Sequence, residues 1–223
     1  MKNSVEQQTS AYLESFKING ATPEGVKWNN RETQYLRFER LIELVKSDLH
    51  DSSVHDIGSG TCDLHDYLLK HNISHQYSGT EIVQEMIDFS LLKYPEINLY
   101  NRDFLQIENE KYDFIFLSGT FNLKLNSSEN ELLDFSMEMI KKMFKHSNKA
   151  ISFNCLTSYN TFSQDDLMYF DPKYVFDYCI ANLSRFVNID ECYPLFEFTV
   201  TVFHEEYIAQ KFRDKAFDRY LKK

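Results

Sequence analysis

The sequence predicts a single α/β domain: a seven-stranded, mostly parallel sheet with an antiparallel C-terminal strand and helices on both faces. Three observations carry this. From Ser53 onward, short apolar runs alternate with amphipathic stretches, the pattern of successive βαβ units. The last two runs are too close together for a parallel crossover, so they pair antiparallel. The first run leads directly into a Gly-x-Gly turn that opens a helix.

Taken in order, residues 30–47 repeat apolar side chains at helical spacing (Tyr35, Phe38, Leu41, Ile42 and Val45), after a polar loop in the earlier part. Strands follow at Val54 to Ile57, Tyr77 to Ile82, Ile97 to Tyr100, Tyr112 to Leu117 and Ala150 to Phe153. Helices lie between most of them, at Asp63 to Lys70, Val83 to Lys93 and Ser128 to Phe144. An aromatic-rich loop leads to a helix at Pro172 to Asn182. Two strands follow, Phe186 to Ile189 and Phe196 to Phe203, and then a closing helix, Glu205 to Leu221. The expected division is 1–47 as an N-terminal helical cap, 48–154 as a ligand-binding core, and 155–223 as lid, terminal hairpin and final helix.

At 223 residues with 43% hydrophobic composition, one such domain uses nearly the whole chain. The net charge of −10 disfavours nucleic acid, which is normally met by a basic stripe. The one basic cluster, 211–223, is interrupted by Asp214 and Asp218 and reads as an amphipathic terminal helix. Cys62, Cys155, Cys179 and Cys192 form no CxxC pair, so reduced thiols are expected, not a zinc site or disulfide framework. No run approaches the ~20 apolar residues of a membrane span, and a cytoplasmic protein without a metal site is expected.

The sharpest local signal is Val54-His55-Asp56-Ile57-Gly58-Ser59-Gly60-Thr61-Cys62-Asp63. Gly58 and Gly60 allow a tight turn and a close approach to a ligand, although glycines also end strands for structural reasons alone. A dinucleotide fingerprint places a small residue three positions after Gly60; here Asp63 stands there, which suits a ligand amino group better than a pyrophosphate. Glu81 ends the second strand, where a carboxylate can accept both hydroxyls of a ribose. Asp103 is placed to accept from an adenine amino group and Phe104 to pack on the ring, the alternative for Asp103 being a plain loop acid. Ser118-Gly119, ending the fourth strand, faces the same crevice. Inside the first strand, His55 points opposite to Val54 and Asp56 and is expected to pack under a helix and hydrogen-bond there, with no catalytic part.

Together these residues resemble the class I S-adenosylmethionine-dependent methyltransferases, which have a Rossmann-like fold. The likeness lies in Asp-x-Gly-x-Gly-x-x-Asp (Asp56, Gly58, Gly60, Asp63) and in the run from Gly79 through Glu81 to Met86-Ile87. It implies S-adenosylmethionine as cofactor and S-adenosylhomocysteine as product. It implies further that Asp56, Gly58, Ser59 and Gly60 shape the methionine pocket, with Asp63 near the amino-acid end. Glu81 would hold the ribose, Ile82 and Phe104 would flank the adenine, Asp103 would meet its amino group, and Met86 and Ser118 would complete the site. Gly25-x-x-Trp28 followed by Arg31-x-Thr33 and Arg37-Phe38 also looks like a bacterial methyltransferase group.

The acceptor is expected over the ends of the fourth and fifth strands. Its candidates are Trp28, Arg37, Asn122, Tyr159 and Tyr169, each with a plainer alternative. Trp28 can be a hydrophobic plug and Asn122 a turn cap. Arg31 and Arg37 can be solvated helix residues, and the rings from Tyr159 to Tyr178 can simply cover the sheet edge. No Asp/Asn-Pro-Pro-aromatic motif and no Pro-Cys pair is present, which counts against DNA amino- and C5-cytosine methylation. The expected partner is a small-molecule or glycan-precursor substrate, without nucleic acid or membrane, and a homodimer is left open. The competing readings are an NAD(P)-dependent oxidoreductase and a non-catalytic S-adenosylmethionine-binding protein.

Overall fold

The computed structural model describes residues 2–124 and 127–221; the end of the basic cluster, Lys222 and Lys223, lies outside the described residues. The elements run α1 (Lys2–Asn19), α2 (Arg31–Ile42), β1 (Ser52–Ile57), α3 (Asp63–Lys70), β2 (His75–Glu81), α4 (Gln84–Lys93), β3 (Asn98–Asn101) and β4 (Tyr112–Leu117). They continue α5 (Glu129–His146), β5 (Ser147–Leu156), α6 (Pro172–Asn182), β6 (Val187–Asp190), β7 (Glu197–Phe203), α7 (Glu205–Lys211) and α8 (Asp218–Leu221). One seven-stranded sheet has the order β3-β2-β1-β4-β5-β7-β6. The pairs from β3 to β5 are parallel, and β7 runs antiparallel to both β5 and β6. This is the expected Rossmann-like sheet, with β7 inserted between β5 and β6.

Each face of the sheet buries its own core, because successive strand side chains point to opposite sides. On β4, Phe114 and Phe116 join one core with α2, α3 and Tyr207 of α7. Ile115 and Leu117 join the other with α5 and α6. Ser53 and Asp113 lock β1 to β4 at their entry: the Ser53 amide donates to Asp113 Oδ2 at 3.1 Å and the Asp113 amide to Ser53 Oγ at 2.8 Å. Helix starts are chemically marked. Asn30 accepts from the Thr33 amide, Ser128 and Glu131 form a capping box on α5, and Asp171 caps α6 with Pro172 in its first turn.

Three expectations need correction. The first residues form α1, not a polar loop; with few apolar residues at helical spacing (Tyr12, Leu13 and Phe16), the pattern is weak. The helix drawn over 30–47 ends at Ile42, and a separate 3₁₀ turn, Lys46–Asp48, follows it. The closing helix breaks at 212–214, where the Asp214 side chain accepts from the Ala216 amide at 2.8 Å and starts a new turn. Cys62, Cys155 and Cys179 are buried free thiols and Cys192 is exposed. Among the described residues no helix is long and apolar enough to cross a membrane, and no cluster of three metal-ligating side chains is present.

Candidate functional site

A cavity of about 830 Å³ opens over the carboxyl ends of β1, β2, β4 and β5, large within the roughly 300–1,000 Å³ usual for small-molecule sites. Its floor is the turn from β1 to α3. Gly58, Gly60 and Cys62 all have left-handed backbones (φ +69°, +53° and +61°). A Cβ on Gly58 would stand 2.6 Å from Thr120 Oγ1 on a left-handed backbone, and both favour glycine there. The Gly58 amide donates to the Thr80 carbonyl at 2.8 Å and ties the turn to β2.

Glu81 ends β2, buried and facing this turn. Its Oε2 accepts from the Gly60 amide at 2.8 Å; its Oε1 accepts from the Ile82 and Val83 amides at 2.8 and 2.9 Å. Burial pushes its pKa upward while the three amides pull it down. Three of its four acceptor positions are therefore taken, leaving one for a ligand hydroxyl; accepting both hydroxyls of a ribose requires the Gly60 amide to share. Ile82, Met86, Asp103 and Phe104 line the cavity beside it. One Asp103 oxygen caps the next turn at the Leu105 amide (2.9 Å), and the other carboxylate oxygen is free to accept.

At the other end of the turn, Asp63 is engaged. Arg31 donates to its Oδ1 at 2.5 Å, Gln34 to its Oδ2 at 3.2 Å, and Thr61 to its Oδ2 at 2.9 Å. Arg31 is thus not a solvated helix residue. Asp56 accepts from the Tyr77 hydroxyl at 2.8 Å, and burial pushes its pKa up to about 7. Ser59 and Ser118 line the same cavity, each with a buried hydroxyl that has no partner among the described residues. Unmet buried hydroxyls beside a glycine turn fit a polar ligand.

His55 is fully buried and bridges two hydroxyls of the neighbouring strand, Ser78 Oγ at 2.8 Å and Thr80 Oγ1 at 2.9 Å. It stacks on Tyr112, with ring centroids 4.2 Å apart. Its hydrogen bonds go to β2, not to a helix as expected, because Ser78 and Thr80 share its face of the sheet. Burial drives its pKa down to about 3, so the ring is neutral.

Three segments roof the cavity: the stretch before α2, the loop after β4 and the loop after β5. Trp28 lies against Gly119 and over the Arg37 guanidinium, 4.3 Å from ring centroid to Cζ. Arg37 is not a solvated helix residue: it forks onto Glu197 of β7, which also accepts from Asn154 Nδ2 at 3.1 Å. Asn154 Oδ1 in turn accepts from the Gly119 amide at 3.0 Å. Asn122 and Tyr169 line the cavity, and Tyr169 is fixed by the Gln164 amide, which donates to its hydroxyl at 3.0 Å. Tyr159 stands outside the lining, with 66% of its surface exposed.

Several lining residues carry no local sequence signal. Gln8 and Tyr12 of α1 reach the cavity, and burial, then the Glu81 carboxylate, push the Tyr12 phenol well above its ordinary range. The loop before β7 contributes Tyr193, Pro194, Leu195 and Phe196. The one available cue for Glu197 was a lone acid heading an apolar strand.

No protein-family model matches the chain. A Mycobacterium tuberculosis protein named "Putative methyltransferase Rv1506c" is 34% identical over 155 residues, 67% of this chain and 92% of that relative. Among solved structures, the Burkholderia thailandensis 1,6-didemethyltoxoflavin-N1-methyltransferase, bound to its substrate and S-adenosylhomocysteine, matches with a TM-score of 0.63 at 11% identity, over 91% of this chain and 88% of that one. Magnesium protoporphyrin IX methyltransferase of Synechocystis PCC 6803, with S-adenosylhomocysteine bound, matches with a TM-score of 0.59 at 13% identity, over 77% of this chain and 83% of that one. At these identities the two structures establish the fold.

Proposed function

The chain belongs to the class I S-adenosylmethionine-dependent methyltransferase family, and from that premise we propose that it methylates an O or N atom of a small molecule or saccharide-type precursor. The observation that carries this reading is the single cavity in which the glycine turn, Glu81 and the aromatic roof meet. S-adenosylmethionine supplies an activated methyl on a sulfonium. The protein's work is then to align an acceptor lone pair with the methyl–sulfur bond. In this reading Glu81 binds the ribose, Ile82, Asp103 and Phe104 hold the adenine, and Ser59 and Ser118 give their unmet hydroxyls to the polar end. Residues 1–47 act as the cap, 48–154 hold the cofactor, and 155–223 supply the acceptor lid.

The state of the polar groups narrows the chemistry. Among the described residues that line the cavity there is no histidine. Asp56, Asp63 and Glu197 are each committed to partners, and Asp166 lies exposed at the rim. With Glu81 and Asp103 turned to the cofactor in this reading and Asp56 hydrogen-bonded to Tyr77, the site favours an acceptor that arrives already nucleophilic, as a neutral amine or an oxyanion. The buried thiols and the net charge of −10 are consistent with a cytoplasmic setting and a small-molecule partner. Incubation with methyl-labelled cofactor and fractionated small metabolites tests the proposal. Label transferred to a small molecule supports it; label appearing only in protein or nucleic acid overturns it.

A further inference from the structure

Resting on the methyltransferase reading above, we infer that the acceptor carries a carboxylate on a flat apolar body, and that Arg37 anchors this carboxylate end-on through Nη1. Arg37 is buried, with 8% of its surface exposed, and lines the cavity. Its Nε and Nη2 edge is taken by Glu197, and Trp28 covers one face of the guanidinium. The remaining outlet is Nη1, which is buried and has no hydrogen-bond partner among the described residues. That nitrogen carries two N–H donors, so a residue of the cavity wall holds two charged donors that no acceptor among the described residues meets.

A guanidinium makes its short, strong hydrogen bonds to ionised oxygens. Glu197 fixes the group from behind, so Nη1 is presented without an ordering cost at the moment of binding. Glu197 also balances the formal charge of Arg37. The charge of a bound acid is therefore balanced by the positive sulfonium that shares the cavity in the methyltransferase reading.

The rest of the lining describes the body. Leu123, Phe135, Leu156, Phe162 and Phe196 supply apolar walls that suit a flat ring. Asn122 Oδ1 is also buried without a partner among the described residues, which asks for an N–H or O–H on the same molecule. An aromatic acid bearing an amine or hydroxyl meets all three demands.

The test uses the protein loaded with sinefungin, whose amine places a positive charge near the sulfonium position. Loading is confirmed by calorimetry; failure to load would count against the methyltransferase reading itself, whatever the acceptor. Phenylacetate and its neutral twin phenylacetamide are then titrated, with the heat and the fluorescence of Trp28, the chain's single tryptophan, as readouts. The acid should bind roughly tenfold or more tightly than the amide and should perturb Trp28 saturably. In Arg37→Gln that preference should vanish while sinefungin still binds. If Arg37→Gln does not fold, the acid–amide comparison on the unaltered protein decides alone. Absence of an acid preference there, whether both probes bind or neither does, overturns the inference, as does a preference that survives in Arg37→Gln.

Discussion

Arg37 on α2 and Glu197 at the start of β7, 160 positions apart in sequence, form a buried fork in which Nε lies 2.8 Å from both carboxylate oxygens. The pair fastens the N-terminal cap to the far half of the sheet at the wall of the cavity. Through Asn154 it reaches the Gly119 amide, and through the guanidinium face it reaches Trp28.

Removing one member of this pair should cost more than removing both. Arg37→Met leaves the Glu197 carboxylate buried and without its cation, a loss of about 3–5 kcal/mol. The double replacement Arg37→Met with Glu197→Met should recover most of it. Denaturant midpoints for the wild type, the two single variants and the double variant check this. Additive losses would show the pair to be energetically uncoupled.

Gly119 has φ +79°, and a Cβ there would stand 2.6 Å from the Trp28 ring. Gly119→Ala should therefore cost about 1 kcal/mol or more and move Trp28 off Arg37. A red-shifted tryptophan emission is the expected sign. Unchanged emission in a folded variant would mean that Trp28 does not rest on this glycine.

His55 should prove structural. His55→Phe leaves the Ser78 and Thr80 hydroxyls without their ring partner, at a cost of about 1–3 kcal/mol. S-adenosylhomocysteine affinity should stay unchanged. A folded variant with lost cofactor affinity would contradict that assignment.

The pH dependence of stability follows from two opposing sets of buried groups. Asp56 rises from its ordinary 3.8 to about 7, so the folded state holds a proton that the unfolded chain has lost; its contribution falls as pH rises from about 4 to 7. His55 and His65 fall from 6.5 to about 3 and about 4, because burial disfavours their charged forms. Their contribution is lost as pH drops below 6.5, where the unfolded chain takes up protons. Asp56→Asn should therefore raise the melting temperature above pH 7 and steepen the loss of stability on acidification below 6.5. A variant whose pH profile parallels the wild type would contradict the Asp56 assignment.

The glycine turn, Glu81 and the strand order were legible because they depend on local spacing. A strand, two glycines and an acid one strand later declare themselves within 30 residues. The expectation that Glu81 accepts two hydroxyls did not allow for the backbone amides of Gly60, Ile82 and Val83, which only the folded turn brings to it. Arg37 stood out as an acceptor candidate, but its partner did not, since nothing local links a helix residue to Glu197. The rings after β5 lie in an irregular segment without periodicity. Tyr169 therefore turns inward and Tyr159 outward, with nothing in the sequence to tell them apart. The weakly apolar α1 was missed for the same kind of reason: its place is set by tertiary contacts such as Phe16 against Phe89.

The measurement that bears most directly on the account is calorimetric binding of S-adenosylhomocysteine to the unaltered protein and to Glu81→Ala, with NADH as competitor. The account predicts micromolar affinity, about −8 kcal/mol, collapsing in the variant and indifferent to NADH. Absence of binding to the unaltered protein, or displacement by NADH, would contradict the methyltransferase assignment of this cavity.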